Sequence, residues 1–231
     1  MATHVIDRLP KDADKTIGNM PPAIAEAVEQ AALTTTYPTG AVLFAEGQTQ
    51  RGIFIVRRGR VKLSVCGSDG RTLILRMVES GSMLGVASAI SARPYEATAE
   101  TQEPAEISFL RQSDLLRLMR LHGEIALWVT QQISRDYNCT CREIRDLMLS
   151  DSASEKLARL LVGWLDSSAD SKQPSHVKMA LTHEEIGQMI GTSRETVSRL
   201  FAGFKKQNLI QQNGATLVIP NRLALESLIT A

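Results

Sequence analysis

The spacing of the apolar residues changes near residue 113, and this change constrains the fold more than any other feature of the sequence. From residue 37 to about 109, short β-type runs such as GIFIVRRG and RVKLSVCG are separated by closely spaced glycines. A helix is predicted before them, at residues 21–33, opened by prolines that suit a first helical turn. Short strands with tight glycine corners are typical of a small antiparallel barrel or roll. We therefore predict a β-roll in the N-terminal half.

Beyond residue 113 the apolar residues recur at steps of three or four, which predicts one long amphipathic helix. Its stripe consists of Leu118, Leu121, Ile125, Val129, Ile133, Tyr137, Cys141, Ile144 and Met148. Such a stripe could pack on its own roll, but it also suits a seam between two helices of different chains. Because the helix is longer than one small roll, we favour a homodimer. Residues 150–152 follow it as a candidate hinge.

The composition excludes several classes of protein. The 231 residues carry a net charge of only +1, so affinity for nucleic acid must come from a local patch. No apolar run is long enough to cross a bilayer, and the N-terminus lacks the apolar segment of a signal peptide, so we expect a cytoplasmic protein without a membrane partner. No P-loop, G-x-S-x-G or G-x-G-x-x-G motif occurs, and no histidine lies between His4 and His122. We therefore expect no enzymatic activity.

Residues 181–206, LTHEEIGQMIGTSRETVSRLFAGFKK, contain two helix-start signals on either side of Gly191. Thr182 with Glu185, and Thr192 with Glu195, have the spacing of a capping box. Two short helices around a glycine predict a helix-turn-helix. The following NLIQQNGATLVI predicts a hairpin with a two-residue turn at Asn213 and Gly214, placed as a wing. The C-terminal third is thus a winged helix-turn-helix, and the fold class is α+β.

The second of these helices is predicted to have two chemically different faces. Val197, Leu200, Phe201 and Phe204 share the buried face, whereas Arg194, Glu195, Ser198 and Arg199 share the opposite one. Arginine donates two parallel hydrogen bonds to guanine, glutamate accepts one from cytosine, and serine reaches a base or a phosphate. Residues 192–206 carry four basic side chains and one acidic side chain, a local net charge of +3.

These patterns predict binding to double-stranded DNA. The candidate DNA-binding residues are Thr182, Thr192, Ser193, Arg194, Glu195, Ser198, Arg199, Lys205 and Lys206. The alternative is that Glu195 only caps its helix and the arginines form a solvated face, which would leave a protein-interaction module that does not read DNA.

The motifs LTxEEIGxxIG and SRETVSR, together with PTGAVLFAEG, GIFIVRRGRVKLSV and GSMLG upstream, resemble the CRP/FNR superfamily of bacterial transcription regulators. The resemblance runs from about residue 36 to 219. It implies a sensor domain with an N-terminal helix and a β-roll like that of cyclic-nucleotide-binding proteins (residues 1–112), a dimerisation helix (113–150) and a winged helix-turn-helix (151–231). It also implies a palindromic operator and RNA polymerase as a partner.

The resemblance extends to the base-reading positions. Glu195, Ser198 and Arg199 match the E-x-x-S-R pattern of the FNR-like branch, which recognises TTGA-type half-sites. Arg194 matches instead the R-E-x-x-x-R pattern of the cyclic-AMP-responsive branch, which recognises TGTGA. Since this sequence carries both patterns, we predict half-sites with the shared TGA core and leave the preceding base open.

The sensor cassette of cyclic-nucleotide-binding relatives is degenerate in this sequence, LGVASAISARPYEATAE. The candidate effector residues are Gly85, Val86, Arg93, Tyr95 and Glu96. Val86 stands where the family has a glutamate, and Tyr95 and Glu96 stand where it has an arginine and a hydroxyl residue. Because the Glu96 carboxylate would repel a phosphate, we expect no cyclic AMP binding of the usual kind. A cyclic-nucleotide-dependent regulator remains the alternative.

Other effectors implied by this family are also not expected. An iron–sulfur cluster needs four cysteine ligands, and this chain has three cysteines, none before Cys66. A lone histidine such as His122 is more often a surface or capping residue than a haem ligand. Cys141, on the predicted dimer stripe, and Cys139 are the candidates for a redox switch, but we favour Cys141 as a small apolar filler.

Overall fold

The computed structural model describes residues 22–148, 152–167, 176–178, 181–213 and 216–229 of the 231-residue chain. Within these residues the chain divides into two compact units, of which the N-terminal unit ends at Cys141 and the C-terminal unit begins at Arg142. In the described part of the chain, none of the helices is both long and apolar enough to span a membrane. The predicted hinge residues 150 and 151, and the largely polar stretch at residues 168–175, lie outside the described residues.

The N-terminal unit is built from short strands, as predicted, with helices before, between and after them. The strands are β1 (Leu33–Tyr37), β2 (Val42–Phe44), β3 (Gly52–Arg58), β4 (Val61–Cys66), β5 (Thr72–Val78), β6 (Met83–Leu84), β7 (Thr98–Thr101) and β8 (Ala105–Arg111). The helices are α1 (Pro22–Ala31), α2 (Val86–Ser91), α3 (Gln112–Leu121) and α4 (Gly123–Met148), which runs into the C-terminal unit.

The strands form two antiparallel sheets, and this confirms the predicted roll. One sheet has the order β1-β8-β3-β6 and the other β2-β7-β4-β5. Side chains of β3 alternate between two cores because successive residues of a strand point to opposite faces. Phe54 and Val56 pack between the sheets, whereas Ile53 and Ile55 pack against residues of the helices. Because both faces of β3 are buried, its sequence contains a continuous run of apolar residues.

The predicted long helix is present as α4, but it begins at Gly123 rather than near residue 113, because the separate helix α3 precedes it. The backbone of His122 between them is extended, with φ −131° and ψ 100°, and Gly123, a weak helix former, follows. The break divides the apolar stripe. Leu118, Ile125 and Val129 are buried in the core next to the helices, whereas Leu121 is exposed.

The C-terminal unit contains short helices around a small sheet. Its elements are α5 (Ala153–Ser167), β9 (His176–Lys178), α6 (His183–Ile190), α7 (Arg194–Lys206), β10 (Gln211–Asn213), β11 (Thr216–Val218) and α8 (Arg222–Glu226). The strands pair antiparallel in the order β10-β11-β9. Asn213 pairs with Thr216, so Asn213 is the last residue of β10 and the two residues that connect the strands are 214 and 215. The hairpin is confirmed, but the predicted turn at Asn213 and Gly214 is wrong by one residue, because the strand pairing extends through Asn213. Residues 214 and 215 lie outside the described residues.

Ser152 and Glu155, at the start of α5, have the sequence spacing of a capping box, but only one of its two hydrogen bonds is formed. Ser152 Oγ accepts a hydrogen bond from the Glu155 amide at 3.1 Å. The Glu155 carboxylate, which would complete a capping box, accepts instead from Arg159 at 2.7 Å.

Candidate nucleic-acid interface

The first helix of the predicted helix-turn-helix, α6, begins with a complete capping box. Thr182 Oγ1 accepts from the Glu185 amide at 3.2 Å, and a Glu185 carboxylate oxygen accepts from the Thr182 amide at 2.8 Å. The helix ends at Ile190 and is capped by Gly191, whose φ of +68° is a left-handed conformation that favours glycine. These contacts confirm the predicted first helix and turn.

The second helix, α7, begins one residue later than predicted. Ser193 is its N-cap, and Ser193 Oγ accepts from the Thr196 amide at 3.2 Å. The predicted capping box of Thr192 and Glu195 is therefore wrong. The physical reason is that Thr192 still belongs to the turn after α6, where its amide donates to the Gly187 carbonyl at 2.9 Å. The cap is therefore the next residue, Ser193.

A glycine that the sequence did not single out sets the approach of the turn to α6. A Cβ atom added to Gly187 would lie 2.7 Å from the Thr192 carbonyl oxygen and 3.4 Å from the Ser193 carbonyl carbon. Real Cβ atoms do not come so close to backbone, so only glycine fits here without movement. Gly187 thus allows the start of α7 to sit directly on α6.

The two faces of α7 differ in burial as the helical periodicity predicts. Val197, Phe201 and Phe204 are buried in the core of the C-terminal unit, and Leu200 is half-buried against it. The exposed side chains include Arg194, Glu195, Ser198, Arg199, Lys205 and Lys206. The helix therefore presents the predicted polar and basic residues together on one surface.

Glu195 is held near the start of its own helix. A hydrogen bond from its own backbone amide, followed by one from the Ser193 hydroxyl and by the charge of Arg194, holds the pKa of the Glu195 carboxyl below its usual value. The carboxylate is thus ionised at neutral pH, as an acceptor of a cytosine amino hydrogen bond must be.

Two further polar contacts shape this surface. Lys205 Nζ donates to Gln212 Oε1 at 2.7 Å and so ties the end of α7 to β10. His183 Nδ1 and Ser198 Oγ lie 2.9 Å apart, at hydrogen-bond distance. Burial, followed by the charges of Lys205 and Arg194, lowers the pKa of His183 below its ordinary 6.5. Sequence reasoning missed the His183 contact because its partner is 15 residues away and no spacing rule joins them.

The five candidate effector residues fall into two groups, of which one (Gly85, Val86 and Tyr95) lies in the interior and the other (Arg93 and Glu96) at the surface. Tyr95 is buried, its ring stacks on Phe44 with centroids 4.0 Å apart, and its hydroxyl donates to the Gly52 carbonyl at 2.8 Å. Gly85 lies against the same ring, since a Cβ there would be 2.7 Å from Tyr95 Cε1. Val86 is buried at the start of α2.

Arg93 and Glu96, the two charged candidates, are exposed. The buried part of the effector region is thus aromatic and apolar, with the Tyr95 hydroxyl already bonded to backbone.

The candidate redox residues lie on α4. Cys141 is exposed and Cys139 is half-buried. A hydrogen bond with the Cys141 thiol raises the pKa of the Tyr137 hydroxyl, one turn earlier on the helix. Across the part of the chain that the structure describes, no cluster of three or more histidine, cysteine, aspartate or glutamate residues could hold a metal ion.

Both units match known protein families. Residues 34–122 match the cyclic nucleotide-binding domain, and residues 155–228 match the Crp-like helix-turn-helix domain. The chain belongs to the CRP/FNR superfamily of transcription regulators. Its α6 and α7 form the helix-turn-helix of this superfamily, and its relatives are transcription regulators rather than enzymes.

Individual relatives align with most of the length of this CRP/FNR protein. The cAMP-activated global transcriptional regulator CRP of Haemophilus influenzae is 28% identical over 184 residues, which are 79% of this chain and 82% of the relative. The c-di-GMP responsive global regulator CLP of Xanthomonas campestris has a TM-score of 0.77 at 20% identity, covering 87% of this chain and 100% of CLP. FixK2 of Bradyrhizobium japonicum has a TM-score of 0.75 at 20% identity, covering 87% of this chain and 98% of FixK2. The two structural likenesses establish the fold.

Proposed function

We propose that this CRP/FNR regulator binds palindromic DNA as a homodimer and reads half-sites with a TGA core through α7. The observation that carries the proposal is the exposed surface of α7, on which Arg194, Glu195, Ser198 and Arg199 lie opposite a buried apolar face. In a helix-turn-helix, residues near the N-terminus of the second helix meet base edges in the major groove. The four side chains offer hydrogen-bond donors and acceptors that match guanine and cytosine.

Phosphate contacts are assigned to the residues around this surface. Lys206 is exposed at the end of α7, and Lys205 lies beside it with its ammonium bonded to Gln212. Thr182, Thr192 and Ser193 lie at or next to the helix starts, where backbone amides attract phosphate oxygens. These contacts would position the protein, and the base contacts would specify the sequence.

The exposed part of α4 supports a homodimer. Tyr137 and Ile144 are 69% and 55% exposed, and Cys141 between them is exposed as well. Their spacing of four and three residues puts them on one face, as in the seam of a two-helix coiled coil. A second copy of the chain would bury this face and place two α7 helices on the two half-sites of a palindrome. RNA polymerase would be the further partner of the DNA-bound dimer.

We further infer that cyclic AMP is not bound in the usual way. Tyr95 fills the space beside Gly85, and its hydroxyl is bonded to the Gly52 carbonyl. A nucleotide phosphate needs positively charged or hydrogen-bond donating groups, and the charged residues Arg93 and Glu96 lie at the surface. The second candidate function, a cyclic-AMP-dependent regulator, is favoured by the cAMP-activated relative from Haemophilus influenzae.

The test is an anisotropy titration of the full chain with fluorescent duplexes that contain TTGA-type, TGTGA-type or scrambled half-sites. Salt is held constant because phosphate contacts make affinity strongly salt-dependent. We expect tight binding to one TGA-containing duplex without cyclic AMP and no change when it is added. Binding only with cyclic AMP would support the second candidate. Equal binding to all duplexes would favour a protein-interaction module instead.

Arg199→Ala tests the base-reading assignment. Loss of the two hydrogen bonds to guanine should weaken specific binding by about 1–3 kcal/mol. Lys206→Ala is the matched control, because loss of a phosphate contact should weaken binding to specific and scrambled duplexes alike. An unchanged ratio of specific to scrambled affinity in Arg199→Ala would contradict the assignment.

A further inference from the structure

His183 is the first residue of α6, and its imidazole makes two contacts with α7. Its Nδ1 atom is 2.9 Å from Ser198 Oγ, and its ring packs on Phe201 with centroids 4.7 Å apart and planes inclined by 31°. Phe201 is buried, His183 is half-buried and Ser198 is exposed. The ring is therefore held against the core while its nitrogen reaches a side chain on the outer surface.

A serine hydroxyl on a helix surface is normally free to rotate, so it can offer either its hydrogen or its lone pairs to a ligand. The bond to His183 removes this freedom for Ser198. If Nδ1 is unprotonated, the Ser198 hydrogen points to the imidazole and only lone pairs remain for DNA. If Nδ1 carries a hydrogen, the serine accepts from His183 and its own hydrogen remains for DNA.

We propose that His183 is a positioning residue for specificity, which sets whether Ser198 presents an acceptor or a donor to the operator. This inference rests on the proposed function, in which Ser198 faces a base. An acceptor matches the amino groups of adenine and cytosine, and a donor matches the acceptor atoms of guanine and thymine. An oriented hydroxyl also loses less conformational freedom on binding than a rotating one. His183 thus influences base choice without touching a base.

The charges around His183 separate this role from a phosphate contact. Burial, followed by the charges of Lys205 and Arg194 on α7, lowers the pKa of His183 below its ordinary 6.5, so the ring is neutral near pH 7. A neutral ring releases no counterions from DNA, so its replacement should leave the salt dependence of affinity unchanged. If His183 instead held a phosphate as a cation, its replacement would weaken binding to every sequence and reduce the salt slope.

Two replacements of His183 separate the hydrogen bond from the ring packing. His183→Phe keeps an aromatic ring on Phe201 and removes the nitrogen. His183→Asn loses the ring but places an amide atom close to the position of Nδ1, within reach of Ser198. Ser198→Ala removes the hydroxyl that is proposed to contact the base. The double variant His183→Phe with Ser198→Ala completes a double-mutant cycle.

The measurement is the affinity of each full-length variant for duplexes in which every half-site position is varied through all four bases. We expect His183→Phe to lose about fivefold discrimination at one position, the value of a single hydrogen bond. Ser198→Ala should lose discrimination at the same position, the double variant should lose no more, and His183→Asn should retain it. Thermal melting of each variant identifies any change that is due to unfolding.

Three results would overturn the inference. They are an unchanged base profile in His183→Phe, a loss in His183→Asn as large as in His183→Phe, and a uniform loss of affinity with a smaller salt slope. Failure of the proposed function looks different, because the wild-type protein would then show no preference among the duplexes. The wild-type profile is therefore measured first.

Discussion

Replacing Gly187 by alanine should destabilise the C-terminal unit, although alanine is the better helix former. In an open helical site this change would stabilise the protein by about 1 kcal/mol. At Gly187 the new Cβ would lie 2.7 Å from the Thr192 carbonyl oxygen and 3.5 Å from the Arg194 amide nitrogen. These are backbone atoms at the start of α7, so the turn itself must move, and overpacking of this kind costs about 1–3 kcal/mol. We expect a net loss of up to about 2 kcal/mol.

Gly203→Ala is the matched control. Gly203 lies in α7 of the same unit, and a Cβ there would have no atom within 4 Å. This variant gains the same helix propensity without the clash, so the difference between the two variants isolates the close approach. We expect this difference to be about 1–3 kcal/mol in the free energy of unfolding.

The assay is urea denaturation followed by the fluorescence of Trp164. The chain has two tryptophans, Trp128 in the N-terminal unit and Trp164 beside the core of the C-terminal unit. A Trp128→Phe background therefore lets the signal report the C-terminal unit alone. Equal midpoints and slopes for Gly187→Ala and Gly203→Ala would refute the packing argument.

Two further predictions concern Tyr95 and His183. Tyr95→Phe should destabilise the N-terminal unit by about 1–3 kcal/mol, because it leaves the buried Gly52 carbonyl without its hydroxyl donor. Tyr95→Ala should lower the free energy of unfolding by about 3–5 kcal/mol, because it opens a cavity beside Phe44. Trp128 fluorescence in a Trp164→Phe background measures the stability of both Tyr95 variants. Equal losses in the two variants would contradict the buried-ring argument. The pKa of His183 is lower in the folded chain than its ordinary 6.5, so His183 of the unfolded chain takes up a proton first as the pH falls. The stability of the C-terminal unit should therefore decrease as the pH falls from 6.5 through the folded-state pKa. Above pH 6.5 the stability should not depend on this group. Melting curves between about pH 5 and 8 measure this effect, which His183→Phe should abolish.

Local patterns were sufficient for much of the fold. The capping box of Thr182 and Glu185 joins residues three apart, and the two faces of α7 follow from helical periodicity. The roll could be predicted because its strands are short and its glycines are close together. The polar strand β7, TAET, was not identified, because its assignment depends on pairing with β2 and β4 rather than on its own composition.

The sequence by itself therefore determined the order of roll, helices and helix-turn-helix, and the residues that α7 presents to solvent. Only the tertiary structure decided that α7 begins after Ser193, that the long apolar stripe breaks at His122, and that Tyr95 is buried beside Gly85. It alone also joined His183 to Ser198. The physical reason is the separation along the chain of the residues that interact. Capping and periodicity act within one or two turns of chain, whereas these features depend on contacts between residues that meet only when separate elements pack.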